Sequence, residues 1–121
     1  MPNAEAVLQQ NAIDFEHLRS ITFSDRKLES EVLSLFGERA SASLIAIEQS
    51  MTEVTRAEAA HRLVGAARAI GANELATAAE AIERAGELSP QAVKALSDTM
   101  AAVIQVLEDR MSGENDQPQA G

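Results

Sequence analysis

The stretch Thr55-Arg56-Ala57-Glu58-Ala59-Ala60-His61-Arg62-Leu63-Val64-Gly65-Ala66-Ala67-Arg68-Ala69-Ile70-Gly71-Ala72 decides how the rest of the chain is read. Its apolar positions recur at intervals of three and four with no strand-like alternation, which predicts a helix. Thr55 and Glu58 have the spacing of a capping box, in which each side chain satisfies a free backbone amide of the other, so the helix is expected to begin there. Gly71, tolerant of left-handed backbone, is expected to end it. At about 100° per residue, Ala60, Leu63, Ala67 and Ile70 form a buried stripe, and His61 lies roughly 140° from its centre, on the solvent side. Around His61 stand Ala57, Val64, Gly65 and Ala72, small or modest side chains where an exposed face ordinarily carries Glu, Lys or Gln. A glycine inside a helix costs ~1 kcal/mol relative to alanine, so Gly65 needs a local reason. Clearing the approach to an imidazole one turn away supplies one, and the apolar surroundings read as a docking face for a partner.

The helical period extends outward in both directions. Asp14 is a plausible N-cap for a short helix carrying Phe15 and Leu18. Ser24 or Asp25 opens a long helix to about Met51, with Leu28, Val32, Leu35, Phe36, Ala40, Leu44, Ile47 and Met51 as its expected stripe and Gly37 as a bend point. Ala72 or Asn73 leads into a fourth helix through Leu75, Ala78, Ala79, Ile82 and Ala85, closed by Gly86. Ser89-Pro90 pairs an N-cap with proline at the first helical position, after which Val93, Leu96, Met100, Val103, Leu107 and Met111 repeat at heptad-like spacing. The expectation is an all-α fold, an antiparallel up-down four-helix bundle with a short extra N-terminal helix. Residues 1–111 make the bundle, and the polar run 112–121 is expected to be a disordered tail.

Composition narrows the chemistry. The 121 residues suit one domain, and the 23 alanines with only 2% aromatics favour closely packed helices. With no cysteine there is no disulfide, thiolate metal site or cysteine nucleophile. A formal charge of −9, from 19 acidic against 10 basic residues, opposes binding to nucleic acid or anionic lipid. No segment has the ~20 apolar residues of a membrane span, and the start lacks the pattern of a secretory signal, so a cytoplasmic protein is expected. Of the two histidines, His17 sits among ordinary polar neighbours in the short helix and reads as structural. Glu58-x-x-His61 has the Glu-x-x-His spacing of carboxylate-bridged di-metal bundles, but such ligands must point inward and both of these fall on the outer face. No metal ligands are assigned.

Residues from about Ile13 to Leu107 resemble a histidine-containing phosphotransfer domain. The likeness rests on Ala60-His61-Arg62-Leu63-Val64-Gly65 followed by the small-residue run to Gly71-Ala72, similar to the family's Ala-His, one variable residue, Leu-Lys-Gly, then small residues ending in Gly-Ala. Ile13 to Leu18, Leu35-Phe36 and Glu74-Leu75-Ala76 add to it. The resemblance implies that His61 accepts a phosphoryl group, that Gly65 is the clearance glycine, and that Leu63 and Ile70 are core. It also implies a phosphoryl carrier without kinase activity of its own, moving phosphate between aspartates of response-regulator receiver domains, with hybrid histidine kinases as further partners. Magnesium would sit on the receiver, the carrier having no cofactor. A monomer is expected, because the last helix's repeat can be used up within the bundle.

The chain departs from the pattern at one place: Val64 stands where the family has a lysine that favours the phosphoryl group electrostatically. Arg68, two turns from His61 and leaning toward the helix N-terminus, is the expected substitute. Arg62 is placed to pair with Glu58 at i,i+4. The missing lysine keeps open an alternative, a phosphotransfer-inactive adaptor that binds receiver or kinase domains.

Overall fold

The computed structural model describes residues 12–85 and 87–115. Among these residues there are five helices and no strand: α1 (Phe15–Ile21), α2 (Arg26–Gln49), α3 (Glu53–Ile70), α4 (Asn73–Arg84) and α5 (Pro90–Asn115). Helix α3 packs against α2 on one flank and α4 on the other; α4 packs on α5, and α5 closes back on α2. Leu18, Leu33, Leu63, Leu75, Ile82 and Val103 are the largest wholly buried apolar side chains, drawn from all five helices. Alanines 40, 60, 67, 72 and 79 are also wholly buried, so small side chains line the seams where helices approach closely.

Each helix start has a chemical cause. The Asp14 carboxylate accepts from the His17 amide, and Asp25 accepts from the amides of Lys27 and Leu28. Ser89 accepts from the Ala92 amide ahead of Pro90. Helix α3 begins one turn earlier than the Thr55-Glu58 spacing predicts. Thr52 is its N-cap, with a hydroxyl that accepts from the Thr55 amide at 3.1 Å, so Thr55 lies inside the first turn. Its end is as expected: Gly71 is left-handed at φ 83, and the Gly71 and Ala72 amides donate back to Arg68 and Ala67.

The buried line of α2 is Glu29, Leu33, Phe36, Ala40, Ser43 and Ile47, which differs from the expected stripe. Leu35 is half exposed and Met51, beyond the helix end, is almost fully so. A wheel drawn for one helix cannot say which flank a neighbour covers, and here α2 packs against both α3 and α5. Glu29 is buried because Arg110 of α5 meets its carboxylate with two hydrogen bonds of 2.8 Å. The same guanidinium lies 4.6 Å over the Phe15 ring, so one side chain joins α1, α2 and α5. Gly37 lies 3.7 Å from Leu107 when a Cβ is placed on it, an ordinary contact across the α2–α5 seam.

Helix α1 is fastened to the far end of α3. The Asp14 amide donates to the Gly71 carbonyl, and His17 Nε2 donates to the Ala69 carbonyl at 3.0 Å, capping a free acceptor of the last turn. Helix α5 runs on to Asn115, past the boundary expected at 111. Gly86, the rest of the expected tail and the first eleven residues lie outside the described residues. Among the described residues no helix is long and apolar enough to cross a membrane.

Candidate functional site

His61 stands near the middle of α3, with 75% of its side chain open to solvent. Its environment is set by α4. Glu83 Oε2 lies 2.7 Å from His61 Nδ1, and a carboxylate can only accept, so Nδ1 carries the proton. In the neutral ring this makes Nε2 the nitrogen without a proton. Because the two ring nitrogens point in diverging directions, its lone pair is aimed away from α4. No local spacing marks Glu83 in the sequence, because it is 22 residues from His61 in the chain and on another helix.

Two residues expected on the docking face are not there. Val64 is only 3% exposed and Ala72 is wholly buried. On the wheel Val64 is on the flank of α3 that α4 covers, and Ala72 sits in the tight turn between α3 and α4 with its amide donated to Ala67. Ala57, half buried, and Gly65, exposed, do flank His61. A Cβ placed on Gly65 meets nothing within 4 Å, so no helix packing requires a glycine at that point.

Arg68 also departs from expectation. Its guanidinium donates to Glu80 of α4 at 2.7 Å, while Arg84 approaches the other oxygen at 3.4 Å. The hydrogen bond from Arg68, then the charge of Arg84, hold the Glu80 carboxyl below the usual carboxylate range. The charge of Arg68 is thus engaged by α4, apart from the hollow that holds His61. That hollow, about 350 Å³, is lined by Ala57, Glu58, His61, Arg62 and Glu83. Glu58 and His61 share it but face solvent, the wrong direction for a metal centre inside the bundle. Arg62 and Glu58 line it together without forming the i,i+4 ion pair expected of them, and Arg62 turns also into a groove of about 590 Å³ between α2 and α3.

The helices thus present one exposed imidazole, hydrogen-bonded through Nδ1 to a neighbouring helix, on a face where a glycine leaves open space. The Hpt domain family profile matches residues 31–109, most of α2 through most of α5, and the chain belongs to that family. Hpt domains are phosphocarrier modules of two-component signalling that interact with receiver domains and kinases and are not themselves kinases. No curated protein and no solved structure matches the chain.

Proposed function

We propose that the protein carries a phosphoryl group on His61 Nε2 in a multistep phosphorelay, within an antiparallel arrangement of α2 to α5. The observation that carries the reading is the His61–Glu83 hydrogen bond, which engages Nδ1 and leaves Nε2 of the neutral ring as the nucleophile on a solvent-exposed side chain. In the forward step the Nε2 lone pair attacks the phosphorus of a receiver's aspartyl phosphate. The N–P bond forms, the P–O bond breaks, and the receiver's carboxylate leaves. The ring gains positive charge as this happens, and Glu83 sits where that charge is shared through Nδ1–H. The step runs in reverse toward an aspartate on a second receiver. No base is needed, since the nucleophile carries no proton to lose. The metal ion such transfers use is Mg²⁺ on the partner receiver, so the chain works by positioning and charge. Ala57 and Gly65 belong to the face that meets the partner.

A second reading has one observation behind it: position 64, the family's lysine, is a buried valine. On that reading the chain is an adaptor that binds receivers or kinases without accepting phosphate. The test mixes purified protein with phosphorylated receiver domains and Mg²⁺ and measures acid-labile phosphate. Label on the wild type that is lost in His61→Gln is expected. An unlabelled wild type across a broad receiver panel establishes the adaptor, and label that persists in His61→Gln refutes the site.

A further inference from the structure

The chain's formal charge is −9, yet the groove beside the site histidine has a positive rim. Small residues of both helices, Gly65 and Ala66 among them, floor the groove between α2 and α3, with Arg39 on the α2 wall and Arg62 on the α3 wall. Among the described residues neither guanidinium has a hydrogen bond or ion pair, in contrast with Arg68, Arg84 and Arg110. Two exposed cations left unneutralised along one groove of an acidic protein suit an anionic ligand. Arg62 also lines the hollow that contains His61, so it borders both spaces.

The two flanks of α3 divide the work. On the α4 flank, His61 Nδ1 is tied to Glu83, Val64 is buried, and Arg68, the cation of α3 on that side, is already paired with Glu80. Nδ1 is the ring nitrogen turned to that flank; on the other side Gly65 leaves room, and Arg62 lines the hollow that contains His61. We infer that Arg62 is the catalytic cation that holds the transferring phosphoryl group on His61, and that Arg39 across the groove extends the positive strip to the acidic pocket of the partner. A guanidinium meets phosphoryl oxygens through paired N–H donors, which suits the role better than a point charge. The electrostatic help that the family places at position 64 has moved to the opposite flank of the helix. This inference rests on the proposed phosphorylation of His61.

The test separates the two claims by using a donor too small to dock. Phosphoramidate transfers its phosphoryl group to an imidazole: the P–N bond of the reagent breaks, ammonia leaves with a proton from solvent, and the N–P bond forms at Nε2. Wild type, His61→Gln, Arg62→Ala, Arg62→Lys and Arg39→Ala are labelled this way, then assayed with phosphorylated receivers at two salt concentrations. Folding is checked by circular dichroism. Arg62→Ala is expected to be labelled about tenfold more slowly by both donors, the size of one charge-assisted hydrogen bond in a partly solvated site, with part recovered by Arg62→Lys. Arg39→Ala is expected to react with phosphoramidate as wild type does and to accept from receivers several-fold more slowly, with a weaker salt dependence. Arg62→Ala labelled at the wild-type rate by both donors overturns the role of Arg62, and Arg39→Ala with unchanged receiver transfer overturns that of Arg39. Label unaffected by His61→Gln overturns the underlying reading instead.

Discussion

Replacing Gly65 separates two reasons for a glycine inside a helix. If it were there to let a neighbouring helix approach, an added methyl would clash and destabilise the bundle. A Cβ at this position meets no atom within 4 Å, so Gly65→Ala forfeits no packing and removes the ~1 kcal/mol backbone penalty of a mid-helix glycine. For a domain of this size that is a rise in Tm of about 4–6 °C in a thermal melt followed by circular dichroism. The cost should appear only when a partner must dock. Gly65→Gln places a longer side chain at the edge of the groove one turn from His61 and is expected to slow transfer from a phosphorylated receiver by about 10–100-fold, the scale of misplacing reacting groups by an ångström. Labelling of the same variant by phosphoramidate should change far less. A lower Tm for Gly65→Ala would show that the glycine serves packing, and wild-type receiver transfer by Gly65→Gln would show that the cleared face is not where the partner sits.

Three further outcomes are expected. Glu83→Ala should slow phosphoryl acceptance by up to about tenfold, because a full charge on the ring 2.7 Å from a carboxylate in a water-like medium is worth about 1.5 kcal/mol; Glu83→Gln should retain part of the rate, and both are read from initial labelling rates. Arg110→Met should destabilise the fold by about 3–5 kcal/mol in urea unfolding, since it strands the 5%-exposed Glu29 side chain, and the double variant with Glu29→Leu should regain most of that. Because Arg68 and Arg84 hold the Glu80 carboxyl low, its contribution to stability is complete above the ordinary carboxylate range and drains away as the pH falls through the folded-state value. In Arg68→Ala, carboxyl titration by NMR should find Glu80 closer to the usual range, while phosphoryl acceptance stays near wild type.

Much of the fold is legible in local spacing because helix formation is a local matter. Asp14, Asp25, Ser89-Pro90 and Gly71 mark helix ends by satisfying or sparing backbone groups within a few residues, and the three-and-four spacing in α3 places Leu63, Ala67 and Ile70 in the core. The exposure of His61 and the open space at Gly65 follow from the same phase. Errors begin where two helices must be known at once. Thr52 wins the cap of α3 from Thr55 by one turn, a choice that local propensity leaves nearly balanced. Leu35 and Met51 fall off the buried line of α2, and Glu29 joins it, because α5 brings Arg110 to that line.

The sequence by itself determined an all-helical chain with one exposed, glycine-flanked histidine on its third helix, since 3.6-residue periodicity and end-capping chemistry act within single segments. Which flank of that helix is covered, and which stays open, was decided only by the packing of α2, α4 and α5. Helix α4 buries Val64, takes the charge of Arg68 through Glu80, and fixes the imidazole tautomer through Glu83. Those interactions join residues 12 to 22 positions apart, and no period within one helix encodes a contact with another. The groove with Arg39 and Arg62 on its rim is what remained open on the other side.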